Sequence, residues 1–154
     1  MLALLRAPPE RIEAADGARV HVMDGDSLRI GPRIVRIADI DAVELNQRCQ
    51  DAAGQPWDCG TQARDALLAL VRGGGLTCES RTTDQYGRAV ATCATPRIAD
   101  VGATMVAEGW AISDLGRGSG AYRQEEEAAR SARRGIWRGT FETPSVWRAA
   151  HPRS

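Results

Sequence analysis

The sequence predicts an α+β fold, mainly β: a five-stranded Greek-key barrel of the OB type carrying three helices. Three observations carry that prediction. Short runs of alternating apolar residues recur around 18–38 and 76–93, separated by Asp-Gly, Gly-Pro and Tyr-Gly breaks. A helical period falls between the third and fourth of these runs, and two more follow the fifth. Three strands, a helix, two strands and two helices match the order of a small OB barrel. At 154 residues the chain is about one domain's worth, long enough to bury one core.

Met1 to Leu5, followed by Arg6 and Ala7-Pro8-Pro9, is shorter than the apolar region of a signal peptide and reads as a stub of one or a linker. Residues 1–15 are therefore set apart as a tail, residues 16–138 as the domain and residues 139–154 as a C-terminal tail that packs on it. The domain opens with a three-stranded meander. Val20 and Val22 alternate with His21, Asp24-Gly25-Asp26 breaks the run, Leu28 and Ile30 follow, Gly31-Pro32 turns, and Ile34 to Ala38 is the third strand. Side chains alternate faces, so Ile34 and Arg36 share one face and Val35 and Ile37 the other. A mid-strand arginine on a half-buried face needs a partner or a ligand.

From Gly60 to Arg72, Ala63, Ala66, Leu67, Leu70 and Val71 stand at helical spacing, and Gly73-Gly74-Gly75 stops them. Strands at 76–81 and 88–93 flank Asp84-Gln85-Tyr86-Gly87, a hairpin turn whose register sets Cys78 opposite Cys93 and permits a cross-strand disulfide. A second helix runs from Ile98 to Glu108, and Gly109 ends it. Residues 114–120 are a glycine-rich loop whose spacing fits no nucleotide fingerprint. Tyr122 to Arg134 is the third helix, and Trp137, Phe141 and Trp147 make the tail too aromatic to hang free.

Composition excludes several classes. Hydrophobic residues are 43% and charged residues 26%, which disfavours disorder, coiled coil and collagen-like structure. Net charge is +0, so any nucleic-acid contact must be local, and the basic residues are all arginine, so it must come from guanidinium or backbone. No apolar run approaches the ~20 residues of a membrane span. Four cysteines without a Cys-x-x-Cys pair count against structural zinc and leave disulfides or reduced thiols open.

Acidic residues gather where strands end: Asp24, Asp26, Asp39, Asp41 and Glu44. For Asp24-Gly25 alone, turn chemistry is sufficient explanation, and the later positions of an EF-hand loop are not met. With Arg36 and Arg88 the set nevertheless holds the parts of a phosphodiester hydrolase. Hard carboxylates hold a divalent cation, a free carboxylate activates water, and two guanidiniums neutralise phosphate charge in the transition state. The plainer reading of each arginine is a surface ion pair, weaker for Arg36 than for Arg88.

Three blocks, Val22-Met23-Asp24-Gly25-Asp26-Ser27, Arg36 to Glu44, and Asp84-Gln85-Tyr86-Gly87-Arg88, resemble the signature blocks of the thermonuclease (staphylococcal nuclease-like) family, with the likeness running from about Val20 to Trp137. The resemblance implies a calcium-dependent endonuclease on an OB barrel, cutting DNA and RNA to leave 3′-phosphate ends. It places Asp26, Asp41 and the Ala42 backbone carbonyl on the metal, Asp24 behind them, Glu44 as general base, Arg36 and Arg88 on the phosphate, and Tyr86 beside the nucleotide. Ala42 stands where the family often has threonine, which leaves the carbonyl intact. Gln85 replaces a frequent lysine and the chain is neutral, implying weaker, more selective binding; the expected partner is nucleic acid, DNA or RNA, with single strands preferred. The family's aromatic pair after the second helix is missing, and Tyr122 is the substitute.

In exported bacterial members a cysteine pair brackets the loop after the glutamate and another joins the hairpin, here Cys49–Cys59 and Cys78–Cys93. This implies a periplasmic or secreted monomer, with a cytoplasmic protein of four thiols as the alternative. The rival function is a non-catalytic OB module that binds nucleic acid or protein. The complete set of acids, base and arginines favours the enzyme.

Overall fold

The computed structural model describes residues 7–14, 19–114 and 120–152, so the glycine-rich loop lies largely outside the described residues, as do positions 1–6. In chain order the elements are β1 (Glu10–Glu13), β2 (Val20–Val22), β3 (Ser27–Ile30), β4 (Arg33–Ile37), β5 (Ile40–Ala42), β6 (Cys49–Gln50), β7 (Pro56–Trp57), α1 (Cys59–Val71), β8 (Thr77–Thr83), β9 (Ala89–Ala94), α2 (Val101–Ala107), β10 (Ala111–Ser113), α3 (Arg123–Ser131), a 3-10 turn (Gly135–Arg138) and α4 (Pro144–Ala150). The principal sheet has the order β1-β8-β9-β4-β3-β2 and curls into a half-barrel. All its pairs are antiparallel except β4 with β9, which places Val35 opposite Ala89.

The fold is the predicted α+β, mainly β class, with the strand and helix counts corrected. Glu10–Glu13, placed in the N-terminal tail by sequence, is an edge strand on β8. Its one inward residue, Ile12, is buried opposite Cys78. Three charged residues around one isoleucine hide the period-2 signal that a longer strand displays. Short pairs β5–β10 and β6–β7 were also unseen, and α4 makes four helices rather than three.

The main core fills the concave side of the sheet. Leu28, Ile30, Val35 and Ile37 meet Leu67 of α1 and Val101 and Met105 of α2. Each such side chain contributes about 1.5–3 kcal/mol by leaving water. On α1 the buried stripe Ala63, Leu67 and Val71 follows the helical repeat read from sequence. A second, smaller cluster of Val43, Cys49, Cys59, Ala63 and Ile136 has Trp57, Trp110, Trp137 and Phe141 packed against it.

The cysteines pair as Cys49–Cys59, tying β6 to the start of α1, and Cys78–Cys93, across the hairpin. The C-terminal segment lies on the second cluster. Trp137 meets Phe141 edge-on at 4.9 Å. Arg138 lies 3.9 Å over the Trp57 ring, and Gln50 and Thr140 exchange backbone hydrogen bonds of 2.9 and 3.0 Å.

Candidate active site

The turn between β2 and β3 is pressed between β5 and α1. A Cβ on Gly25 would stand 2.7 Å from the Ala42 Cβ and 3.0 Å from that of Ala63, so only glycine lets the turn come so close. The approach fixes Asp26. Its Oδ2 accepts the Ala42 N–H at 2.8 Å, its Oδ1 accepts the Ser27 hydroxyl at 3.1 Å, and its own N–H donates to Asp24 Oδ1 at 3.1 Å.

Arg36 lies opposite Ser27 in the β3–β4 register. The chain then turns through Asp39, in the left-handed region at φ 66°, and returns as β5 with Asp41 at its centre. β10 braces that strand by pairing Ile112 with Asp41. The result answers the demand of a mid-strand arginine: Arg36 Nη1 is 3.1 Å from Asp26 Oδ2 and its Nη2 is 3.5 Å from Asp41 Oδ1.

Glu44 follows on a loop held by Gln47, whose role the sequence reading missed. Gln47 is 1% exposed. Its Oε1 accepts the Glu44 N–H at 3.1 Å, its Nε2 donates to the Glu142 carbonyl at 2.7 Å, and its backbone carbonyl accepts the Gly60 N–H at 3.1 Å. The first turn of α1 packs directly on the Glu44 and Leu45 carbonyls, where a Cβ on Gly60 would overlap them. One glutamine side chain thus joins the loop, and through it α1, to the C-terminal segment.

Arg148, on α4, was likewise unanticipated. Its Nη1 donates to Asp41 Oδ1 at 3.0 Å and to Glu44 Oε1 at 2.7 Å, and its Nη2 to Asp41 Oδ2 at 3.2 Å. The available signal was Thr143-Pro144, a helix start with proline at its first position; it announces α4 but not where its arginine reaches.

Asp24, Asp26, Arg36, Asp41 and Glu44 therefore come together. Arg88 is near rather than within the group. It directly precedes β9, whose parallel register sets Val90 beside Arg36 and Ala89 beside Val35. Its Nε donates to Asp84 Oδ2 at 2.6 Å, and its guanidinium lies 5.3 Å from the Tyr86 ring centroid. Tyr86 is 70% exposed at the hairpin tip.

Tyr122 is not brought to the group. Its ring packs near Gly102 in the core and its hydroxyl donates to the Asp100 carboxylate at 2.9 Å. The expected nucleotide-binding tyrosine thus stands in the core, with its hydroxyl bonded to Asp100. Burial, then Asp100, raises its pKa.

Electrostatics separate the acids. Burial, then the charges of Asp26 and Glu44, push Asp24 up to about 8. Burial also raises Asp41, against the pull of Arg148 and Arg36. At Asp84 burial works upward, but hydrogen bonds from Arg88 and the Tyr86 N–H outweigh it and hold the carboxyl below its ordinary value. Hydrogen bonding to Asp41, then to Glu44, raises Arg148.

Among the described residues no three acidic, histidine or cysteine side chains converge as a ready ligand shell. The donor chemistry still fits a hard divalent cation: carboxylate oxygens, with a guanidinium already seated as a positive charge on two of them. No helix among the described residues is long and apolar enough to cross a membrane.

Residues 34–139 match a family model described as staphylococcal nuclease homologue. Succinoglycan biosynthesis protein ExoI of Rhizobium meliloti (strain 1021) is 34% identical over 125 residues, covering 80% of this chain and 65% of that protein. Protein ParB of Escherichia coli is 32% identical over 149 residues, covering 86% of this chain and 78% of that protein. The chain thus spans just under two thirds of the first relative's length.

Proposed function

The chain belongs to the staphylococcal nuclease homologue family, and on that premise we propose that it is a calcium-dependent endonuclease hydrolysing DNA and RNA, single strands preferred, to products with 3′-phosphate ends. The observation that carries the reading is the bridging of Asp26 and Asp41 by Arg36 and of Asp41 and Glu44 by Arg148, with Arg88 just ahead of β9, the strand paired with β4.

Asp26, Asp41 and the Ala42 carbonyl would hold the cation, which supplies positive charge beside the phosphate when bound. Arg36 and Arg88 donate N–H groups to the phosphate oxygens and become more strongly bonded as charge accumulates there. Glu44 accepts the proton of the attacking water at a carboxylate oxygen. The exposed Tyr86 lies against the nucleotide. Asp24 stays behind the metal acids, where its tendency to keep a proton limits the negative charge of the group. The two disulfides fit an oxidising compartment, and we read the protein as periplasmic or secreted.

Digestion of single-stranded DNA with calcium and then with excess chelator tests this, with product ends assigned by phosphatase sensitivity. Calcium-dependent cleavage to 3′-phosphates is expected. Full cleavage in chelator removes the metal, and binding without cleavage in calcium favours the OB binding module.

A further inference from the structure

We propose that α4 is a cation-displaced latch, in which Arg148 occupies the seat of positive charge on Asp41 and Glu44 and must leave before a divalent cation can bind. The inference rests on the metal site proposed above and concerns how that site is regulated.

The case begins with occupancy. Arg148 engages both carboxylate oxygens of Asp41 and one of Glu44. Asp26, the other acid of the set, gives Oδ2 to the Ala42 N–H and to Arg36. A cation that takes an oxygen of Asp41 therefore meets one that already accepts from Arg148, and at that distance its charge repels the guanidinium. Because guanidinium and cation seek the same oxygens, their binding is competitive.

The rest of α4 is built to detach. Within its seven residues only Pro144 is buried, while Val146 is 55% exposed and the Arg148 side chain 47%. The stacking of Trp147 on His151, at 4.0 Å, is internal to the segment and would survive its departure. The tether lies just upstream, where Thr140 pairs with Gln50 and the Glu142 carbonyl accepts from Gln47. The helix can thus swing away from Asp41 while its root stays attached. Apart from buried Pro144 at the root and half-buried Trp147, the helix is exposed, and the contacts of Arg148 are its ion pairs to the acid group.

Calcium titrated alone into the full chain, by calorimetry, tests the latch when wild type is compared with Arg148→Ala. Removing a competing group should tighten calcium binding on the order of tenfold. In wild type, calcium should also speed tryptic cleavage after Arg148, followed by mass spectrometry. Equal or weaker calcium affinity in Arg148→Ala, or a cleavage rate unmoved by saturating calcium, overturns the latch and leaves the nuclease reading intact. Tighter binding in a chain that cuts no single-stranded DNA keeps the latch and removes the nuclease. Failure of both proteins to bind calcium overturns both.

Discussion

In the β8–β9 hairpin, Asp84 meets Arg88 one to one, and its carboxylate also caps the turn by accepting the N–H groups of Tyr86 and Arg88 at 2.9 and 3.0 Å. At the opposite extreme, Asp26, Asp41 and Glu44 share the guanidiniums of Arg36 and Arg148, while Asp24 accepts the Asp26 N–H. The hairpin acid is held below its ordinary pKa and the buried acids Asp24 and Asp41 above theirs. Aspartate in a turn is the same sequence signal in both places. Its meaning depends on how much positive charge the structure sets beside it, and the acid group, with more carboxylates than guanidiniums, is the place where the proposed cation would find a shortage to fill.

Four experiments press on this contrast, the largest effect first. Glu44→Gln should lower turnover on the order of 10³-fold while leaving calcium and nucleotide-inhibitor binding measurable, because a base is needed only when water attacks. Loss of binding together with turnover would make Glu44 a ligand or a structural residue. Next, Arg36→Lys and Arg88→Lys should each lose about 10²- to 10³-fold in turnover, since an ammonium cannot present two parallel N–H groups to phosphate. Should Arg88→Lys instead retain turnover and lose only thermal stability, Arg88 belongs wholly to the hairpin.

The disulfides divide along the same line. Each closes a short loop, worth about 3 kcal/mol on the chain-entropy account. Melting curves should show comparable losses for Cys49→Ser/Cys59→Ser and Cys78→Ser/Cys93→Ser. Rate assays at a temperature where both remain folded should fall only for the first pair, which ties down the segment following Glu44. Equal rates would show that Gln47 and Gly60 suffice to place the base.

The last test reads the pH dependence of stability without calcium, to which Asp24 and Asp84 contribute with opposite sign. Asp24 keeps its proton to about pH 8 in the folded chain against an ordinary value of 3.8. Stability associated with it is complete below the ordinary value and declines as pH rises through that window. Asp24→Asn should flatten the decline. Asp84 has the opposite sign: its contribution is present above the ordinary value and is lost as pH falls through the lowered one. Asp84→Asn should remove that acid-side loss, as denaturant titrations at several pH values would reveal.

The legible part of the molecule was local. Arg36, Asp41 and Glu44 sit within nine residues, and strand alternation already placed Arg36 on the half-buried face that it shares with Ile34. The hairpin is more instructive. A turn centred on Gln85 and Tyr86 led to Cys78 opposite Cys93, which is the observed pairing. Yet the turn closes Asp84 against Arg88, with Gly87 at φ 79°, one residue away from the simple register. A bulge at Arg81 shifts it back. Two offsets cancelled, and neither was visible in the alternation of Thr and Arg side chains.

Long-range polar partners were not legible. Gln47 is one amide in a polar loop, and Arg148 is one of many arginines, 107 residues from the Asp41 that it holds. Hydrophobic periodicity carries no information on which guanidinium finds which carboxylate. The burial of Tyr122 was hidden in the same way. Its position beside a glycine-rich stretch suggests exposure, whereas the close approach of Gly102 on α2 makes room for its ring.

The single parallel contact in the main sheet has a consequence in time. β4 and β9 are joined by the long stretch containing β5 to β8, so the register that sets Arg36 beside Val90 closes a large loop. Such contacts form slowly, after hairpins and helices whose partners are near in sequence. Both cysteine pairs are short-range by comparison, at separations of 10 and 15 residues, and neither holds β4 to β9. Covalent closure can therefore be complete in a chain whose β4 and β9 have not yet paired, so that the disulfides do not by themselves bring Arg36 into register with Val90.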